Sequence, residues 1–166
     1  LDDPGPIFFR QTRIGENGRL FKMYKFRTMV VGAEDMLHLV EVKDDQGREI
    51  HKIPDDPRVT RIGKILRQTS LDELPQLLNV IEGKMSLVGP RPELPHLVAK
   101  YQRWQRKRFA VPQGITGWWQ VNGRSDKPMH LNTEDDLYYL QNYSLFLDIK
   151  ILIQTIWVVL RGRGAF

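Results

Sequence analysis

Two alternating segments, 7–15 and 19–29, flank Glu16-Asn17-Gly18, and no other feature limits the fold as sharply. Asn-Gly tolerates the positive φ that a tight turn requires, so the chain is expected to double back there as an antiparallel hairpin. Side chains alternate across a strand, which puts Lys25 and Arg27 on one face and Tyr24 and Phe26 on the other. Two cations on one face could grip a diphosphate, or could be a solvated strand surface.

Helical patterning follows. Segments 33–42, 61–67, 70–82, 93–109, 134–142 and 145–161 read as helices, with Ser144 the expected N-cap of the last. Pro54-Asp55-Asp56-Pro57 marks a loop, Gly89-Pro90-Arg91-Pro92 a rigid connector, and 114–124 extended structure with turns. The expected class is α+β: one helix-rich domain over residues 1–166, with a small antiparallel hairpin. Its 166 residues suffice for a sizeable core. No stretch can span a bilayer; the best, Ile151 to Leu160, has ten uncharged residues, against the ~20 that a spanning helix needs.

Ser70-Leu71-Asp72-Glu73 heads an apolar run through Ile81. Ser-x-x-Glu is the capping-box pattern, and first-turn acids also suit the helix dipole. Pro75 breaks the local rule, because it removes an early intrahelical hydrogen bond beside the two acids. Such a break is expected at a functional or strained site, and beside the capping reading it leaves open a functional one, in which a carboxylate attacks phosphorus and forms an acyl-phosphate. Such chemistry brings anions together and needs cations around it, Mg²⁺ through oxygen ligands and arginines through charge-assisted hydrogen bonds. Arg61, Lys64 and Arg67 precede the acids, and Arg91 follows, held between two prolines.

Other positions leave two readings open. Lys100, Arg103, Arg106, Lys107 and Arg108, interleaved with Tyr101 and Trp104, suit an anionic surface or a solvated helix face. Trp118-Trp119 suits core packing or stacking on a base. In 145–161, Leu145, Ile149, Leu152, Ile156 and Leu160 form one apolar stripe, either buried or lying in a membrane interface. The net charge of +5 favours anionic partners without choosing among them. The absence of cysteine removes disulfides, thiolate metal sites and thiol nucleophiles. There is no His-Glu-x-x-His, no nucleophile elbow, no P-loop and no Gly-x-Gly-x-x-Gly.

Several motifs occur in order. They are Asp3-Pro4-Gly5-Pro6-Ile7-Phe8-Phe9-Arg10-Gln11, then Lys25-Phe26-Arg27-Thr28-Met29, then Leu66-Arg67 with Ser70-Leu71-Asp72-Glu73-Leu74-Pro75-Gln76. Met85-Ser86-Leu87-Val88-Gly89-Pro90-Arg91-Pro92, Gly114-Ile115-Thr116-Gly117-Trp118 and Gln120-Val121-Asn122-Gly123-Arg124 come next. Asp136-Leu137-Tyr138-Tyr139 and Asp148-Ile149-Lys150-Ile151-Leu152 close the set. In this order and spacing the chain resembles the catalytic domain of the bacterial sugar transferases, the monotopic phosphoglycosyl transferases.

The resemblance implies transfer of a sugar-1-phosphate from a UDP-sugar to polyprenyl (undecaprenyl) phosphate, with release of UMP. Asp72 is then the nucleophile and a Mg²⁺ ligand, and Glu73 assists metal placement or acceptor activation. Lys25, Arg27, Arg67, Arg91, Arg124 and Asp136 are the expected substrate-binding residues. Amphipathic helices at the membrane interface are expected, on the cytoplasmic face of the bacterial inner membrane. No nucleic acid is expected, and a homo-oligomer stays open. The family's re-entrant membrane helix is expected ahead of Leu1. Pro112-Gln113 stand where the family has a basic residue and proline, and Arg108 is the candidate to replace that contact. Two rival readings remain: a basic lipid- or nucleic-acid-binding module, and a soluble Mg²⁺-dependent nucleotide-sugar hydrolase.

Overall fold

The computed structural model describes residues 3–36, 38, 40, 42–43, 49–50, 56–122 and 133–161. Strands β1 (Phe8–Ile14) and β2 (Leu20–Phe26) form the expected antiparallel hairpin, with Phe9 opposite Lys25 and Gln11 opposite Met23. The turn places Asn17 at φ 55° and Gly18 at φ 77°, the left-handed backbone that Asn-Gly accepts. One face of β2 buries Phe21 and Met23 against Met85, Val80 and Ile115. Lys25 continues that face beyond the apolar contacts.

The expected helix over 33–42 is not present among the described residues. Ala33 N bonds Val30 O and Asp35 N bonds Gly32 O, so 31–36 form successive i→i+3 turns rather than an i→i+4 ladder. Val42–Lys43 (β3) then pairs with Glu49–Ile50 (β4). Helix α1 (Arg61–Gln68) forms as expected, its N-cap Thr60 accepting from Gly63 N at 2.9 Å.

The segment 70–82 splits at the proline. Leu71–Glu73 is a 3₁₀ turn and α2 (Gln76–Ile81) starts only after Pro75. Strand β5 (Ser86–Val88) pairs in parallel with β6 (Gly114–Thr116). Their crossover holds α3 (Pro95–Ala99) and a 3₁₀ turn, Gln105–Ala110, where a single helix over 93–109 was expected. The break follows from Tyr101, which leaves the helical path to pack with Val98 and Phe109. After β6 the chain is not extended throughout, because α4 (Trp118–Asn122) follows at once. Trp119 is buried and Trp118 stacks on Tyr138, so both serve packing.

Helices α5 (Glu134–Gln141) and α6 (Leu145–Arg161) match expectation, and Ser144 Oγ accepts from Leu147 N at 3.3 Å. Leu147 and Ile151 of α6 join Val88 and Tyr139 in the core. The stripe Leu145, Ile149, Leu152, Ile156 and Leu160 faces outward instead, from 38% exposed at Leu152 to 76% at Leu145. Among the described residues, no helix is long and apolar enough to cross a membrane.

Candidate active site

The two acids sit on a helical stretch that is inside out. From Leu71 to Ile81 the polar Asp72, Glu73, Gln76 and Asn79 face inward beside Pro75 and Val80, while Leu71, Leu74, Leu77, Leu78 and Ile81 are exposed. A helix in water ordinarily buries its leucines. Here the polar side is drawn in because it has partners. Asn79 Oδ1 accepts from Tyr24 N at 3.0 Å and its Nδ2 donates to Lys22 O at 2.8 Å, so one side chain extends the β2 ladder.

The capping box of Ser70 and Glu73 is not made. Ser70 lies in the left-handed region at φ 57° and its side chain caps nothing on this turn. Glu73 turns instead to two cations. Lys25 Nζ donates to Oε1 at 2.8 Å, and Arg91 donates from Nη2 to Oε1 at 2.6 Å and from Nη1 to Oε2 at 3.3 Å. Burial pushes the Glu73 carboxyl up, but Arg91 and Lys25 outweigh it and hold the group well below the usual carboxylate range. Burial lowers Lys25, and Glu73 only partly restores it.

Asp72 is held differently. Its side chain is 10% exposed, and the Lys25 ammonium stands 3.8 Å from Oδ2, outside hydrogen-bond range. Arg67, lowered by burial, feels the Asp72 charge as its largest opposing influence, and its Nε donates to Thr28 Oγ1 at 3.0 Å. Glu73 is thus consumed by its cations, and Asp72 keeps an uncommitted carboxylate beside Lys25 and Arg67. The arrangement suits an anionic substrate, since three cations face two carboxylates.

Five of the sequence-derived site residues come together: the acids Asp72 and Glu73, with Lys25, Arg67 and Arg91 around them. Arg27 does not join them. It holds the N-terminal segment, donating to Pro6 O at 2.7 Å, to Met29 O at 3.1 Å and to Asp3. Asp136 is also elsewhere, 1% exposed and paired with Arg108 at 2.8 Å, off the hydrogen-bond direction. Arg108 is fully buried, so it does not replace the missing basic contact, and the run 100–108 is not one continuous basic surface. Arg124 lies outside the described residues. Arg13 and Glu93, buried near Arg91, were not singled out from sequence. Their signal would have been a cation on β1 paired with Phe21 of β2 and an acid directly after the Pro-Arg-Pro run.

The described residues hold no cluster of three potential metal ligands. A hard cation held by one carboxylate and by substrate phosphates needs no such cluster. Asp72 fits that role and Glu73, occupied by two cations, does not.

A buried carboxylate pair under a cluster of cations is an arrangement suited to an anionic ligand. A family described as bacterial sugar transferase matches residues 1–162, and the chain belongs to that family. The chain is 45% identical to a galactosyl transferase, CpsE, of Streptococcus agalactiae over 98% of its own length and 36% of the relative's. It is 45% identical to a UDP-galactose-lipid carrier transferase of Erwinia amylovora, over 99% of its length and 35% of the relative's. With an undecaprenyl-phosphate galactose phosphotransferase of Salmonella typhimurium the identity is 41%, over 99% and 35%. The chain therefore spans about a third of the length of these relatives.

Proposed function

We propose that this chain transfers a sugar-1-phosphate from a UDP-sugar to polyprenyl phosphate, through a covalent phosphosugar on Asp72. The observation that carries the reading is the asymmetry of the acid pair: Glu73 is saturated by Lys25 and Arg91, while Asp72 is left available. The names of the relatives supply the donor and acceptor classes.

In the first step an Asp72 oxygen attacks the sugar-bearing phosphorus. The bond from that phosphorus to the bridging oxygen breaks, and UMP leaves with the bridging oxygen and its electrons. In the second step an oxygen of polyprenyl phosphate attacks the same phosphorus, and the Asp72 carboxylate departs. Both displacements are in line and depend on positioning and charge neutralisation. Lys25, Arg67 and Arg91 supply the cationic surroundings, and Glu73 fixes Lys25 and Arg91 in place. A Mg²⁺ held by Asp72 and the phosphates would neutralise further phosphate charge.

The inside-out helix supports a membrane setting. Leucines that flank the nucleophile face outward, as does the α6 stripe, and together they offer apolar surface where the acceptor's tail would lie. We propose on that ground that the protein works at a membrane interface. The test is the nucleotide released with UDP-sugars and polyprenyl phosphate in lipid nanodiscs. UMP release that depends on the acceptor supports the reading. UDP release contradicts it, and sustained UMP release without acceptor favours a hydrolase.

A further inference from the structure

Arg91 has a proline on each side, so the 90–92 backbone has one N–H and three carbonyls with which to be held. All three carbonyls are engaged. Gly114 N donates to Pro90 O at 2.9 Å, Arg108 Nη2 to Arg91 O at 2.8 Å, and Arg13 Nη1 to Pro92 O at 3.3 Å. The Arg108 contact stands out because it is made by a fully buried cation. Asp136 of α5 balances it at 2.8 Å, and Nη1 donates to Tyr101 Oη at 3.0 Å with Glu93 at 3.9 Å.

Burying an ion pair rarely gains stability over apolar residues of equal volume. What a guanidinium adds is direction, since its donors leave a rigid plane at fixed angles. Here Asp136 Oδ2 and the Arg91 carbonyl oxygen both stand 2.8 Å from the same Nη2, so the carboxylate holds the end of the guanidinium that donates to Arg91. From Arg91 the side chain runs on to Glu73. The geometry points to Arg108, oriented by Asp136, as a positioning residue that fixes Arg91 against Glu73, a role that rests on the proposed phosphoryl-transfer site. Asp136 then acts three contacts away from Glu73, through Arg108 and Arg91, and not on substrate.

The test replaces the pair together, Arg108→Met with Asp136→Leu, which removes the directed contact without leaving a buried charge unpaired. Arg108→Lys is the companion, since it keeps the charge and shortens the reach. Folding is checked by thermal melting, and UMP release and acceptor transfer are measured in nanodiscs. The expected result is a cooperative melt lowered by a few degrees at most, with kcat reduced roughly 100-fold and donor KM little changed. In an Arg91→Ala background the same replacements should cost nothing further, which a purely structural role would not produce. Full kcat in both variants, or losses that add to that of Arg91→Ala, overturns the inference.

A readout without turnover separates this from the function itself. In arginine-labelled protein, the Arg91 Nε–H signal should be protected from solvent exchange in the wild type and lose that protection in both variants. Unchanged protection overturns the positioning role even if the chain transfers sugar-phosphate normally. Wild-type protein that never releases UMP, with Arg91 protection still dependent on Arg108, overturns the proposed function and leaves the brace standing.

Discussion

Lys25 Nζ donates to Glu73 Oε1 at 2.8 Å across 48 residues of sequence. That contact joins the hairpin to the 3₁₀ turn and explains why the second acid of the pair is not a helix cap. With Arg91 on the same oxygen, Glu73 becomes the centre around which the cations are arranged.

Glu73→Gln should therefore destabilise the fold by about 3 kcal/mol at neutral pH, because two half-buried cations lose their counter-charge. Urea unfolding measures this. The folded carboxyl lies below its ordinary value of 4.5. Its contribution is then complete above that pH and is lost as pH falls through the folded value. The stability gap between wild type and Glu73→Gln should accordingly narrow below pH 4.5; a gap constant down to acid unfolding would contradict the pairing.

The inward polar face of α2 makes a second prediction. Asn79→Ala leaves Tyr24 N and Lys22 O without their partner and should cost about 2 kcal/mol. Gln76 is equally buried, yet both its amide atoms lack a protein partner. Gln76→Met should stay within about 1 kcal/mol of wild type. Equal losses at the two positions would show that Asn79 is not a ladder surrogate.

Close approach of backbones at α1 makes the third. A methyl group on Gly63 would come within 2.0 Å of Thr28 O, and Thr28 Oγ1 accepts from Arg67. Gly63→Ala should cost about 3 kcal/mol and lower activity with it, since relief of the clash shifts Arg67. Melting temperature and turnover read together decide the matter.

How far the sequence predicts this structure depends on the range of the forces involved. Local turn chemistry at Asn17-Gly18, the Ser144 cap and the α6 pattern are decided by neighbours, and they form as expected. Ser70-x-x-Glu73 has the local pattern of a cap, but Lys25 and Arg91 outbid the Ser70 N–H for the carboxylate, and neither lies near it in sequence. The helix expected over 93–109 has good periodicity and still breaks, because Tyr101 finds Glu93 and Arg108 by tertiary contact. Asp136 fell on a family motif, and in the fold it is buried against Arg108, apart from the acid pair. Its partner Arg108 could be identified only once α5 and the 3₁₀ turn were seen side by side.

The outward leucines yield the fourth prediction. Leu77→Ser with Leu78→Ser should leave the unfolding transition of the protein in water nearly unchanged, since both side chains are more than two-fifths exposed. Binding to anionic lipid vesicles should weaken by about 2 kcal/mol, roughly thirtyfold. Sedimentation with vesicles measures it, and unaltered binding would remove this helix from the membrane face.

The central claim concerns Asp72, and intact-mass spectrometry tests it most directly. Protein incubated with UDP-sugar and Mg²⁺, without acceptor, should gain the mass of one sugar-phosphate, mapped by fragmentation to Asp72, with an equivalent of UMP in solution. Asp72→Asn should show neither adduct nor UMP. Turnover that persists in Asp72→Asn, or an adduct on another residue, would contradict the account.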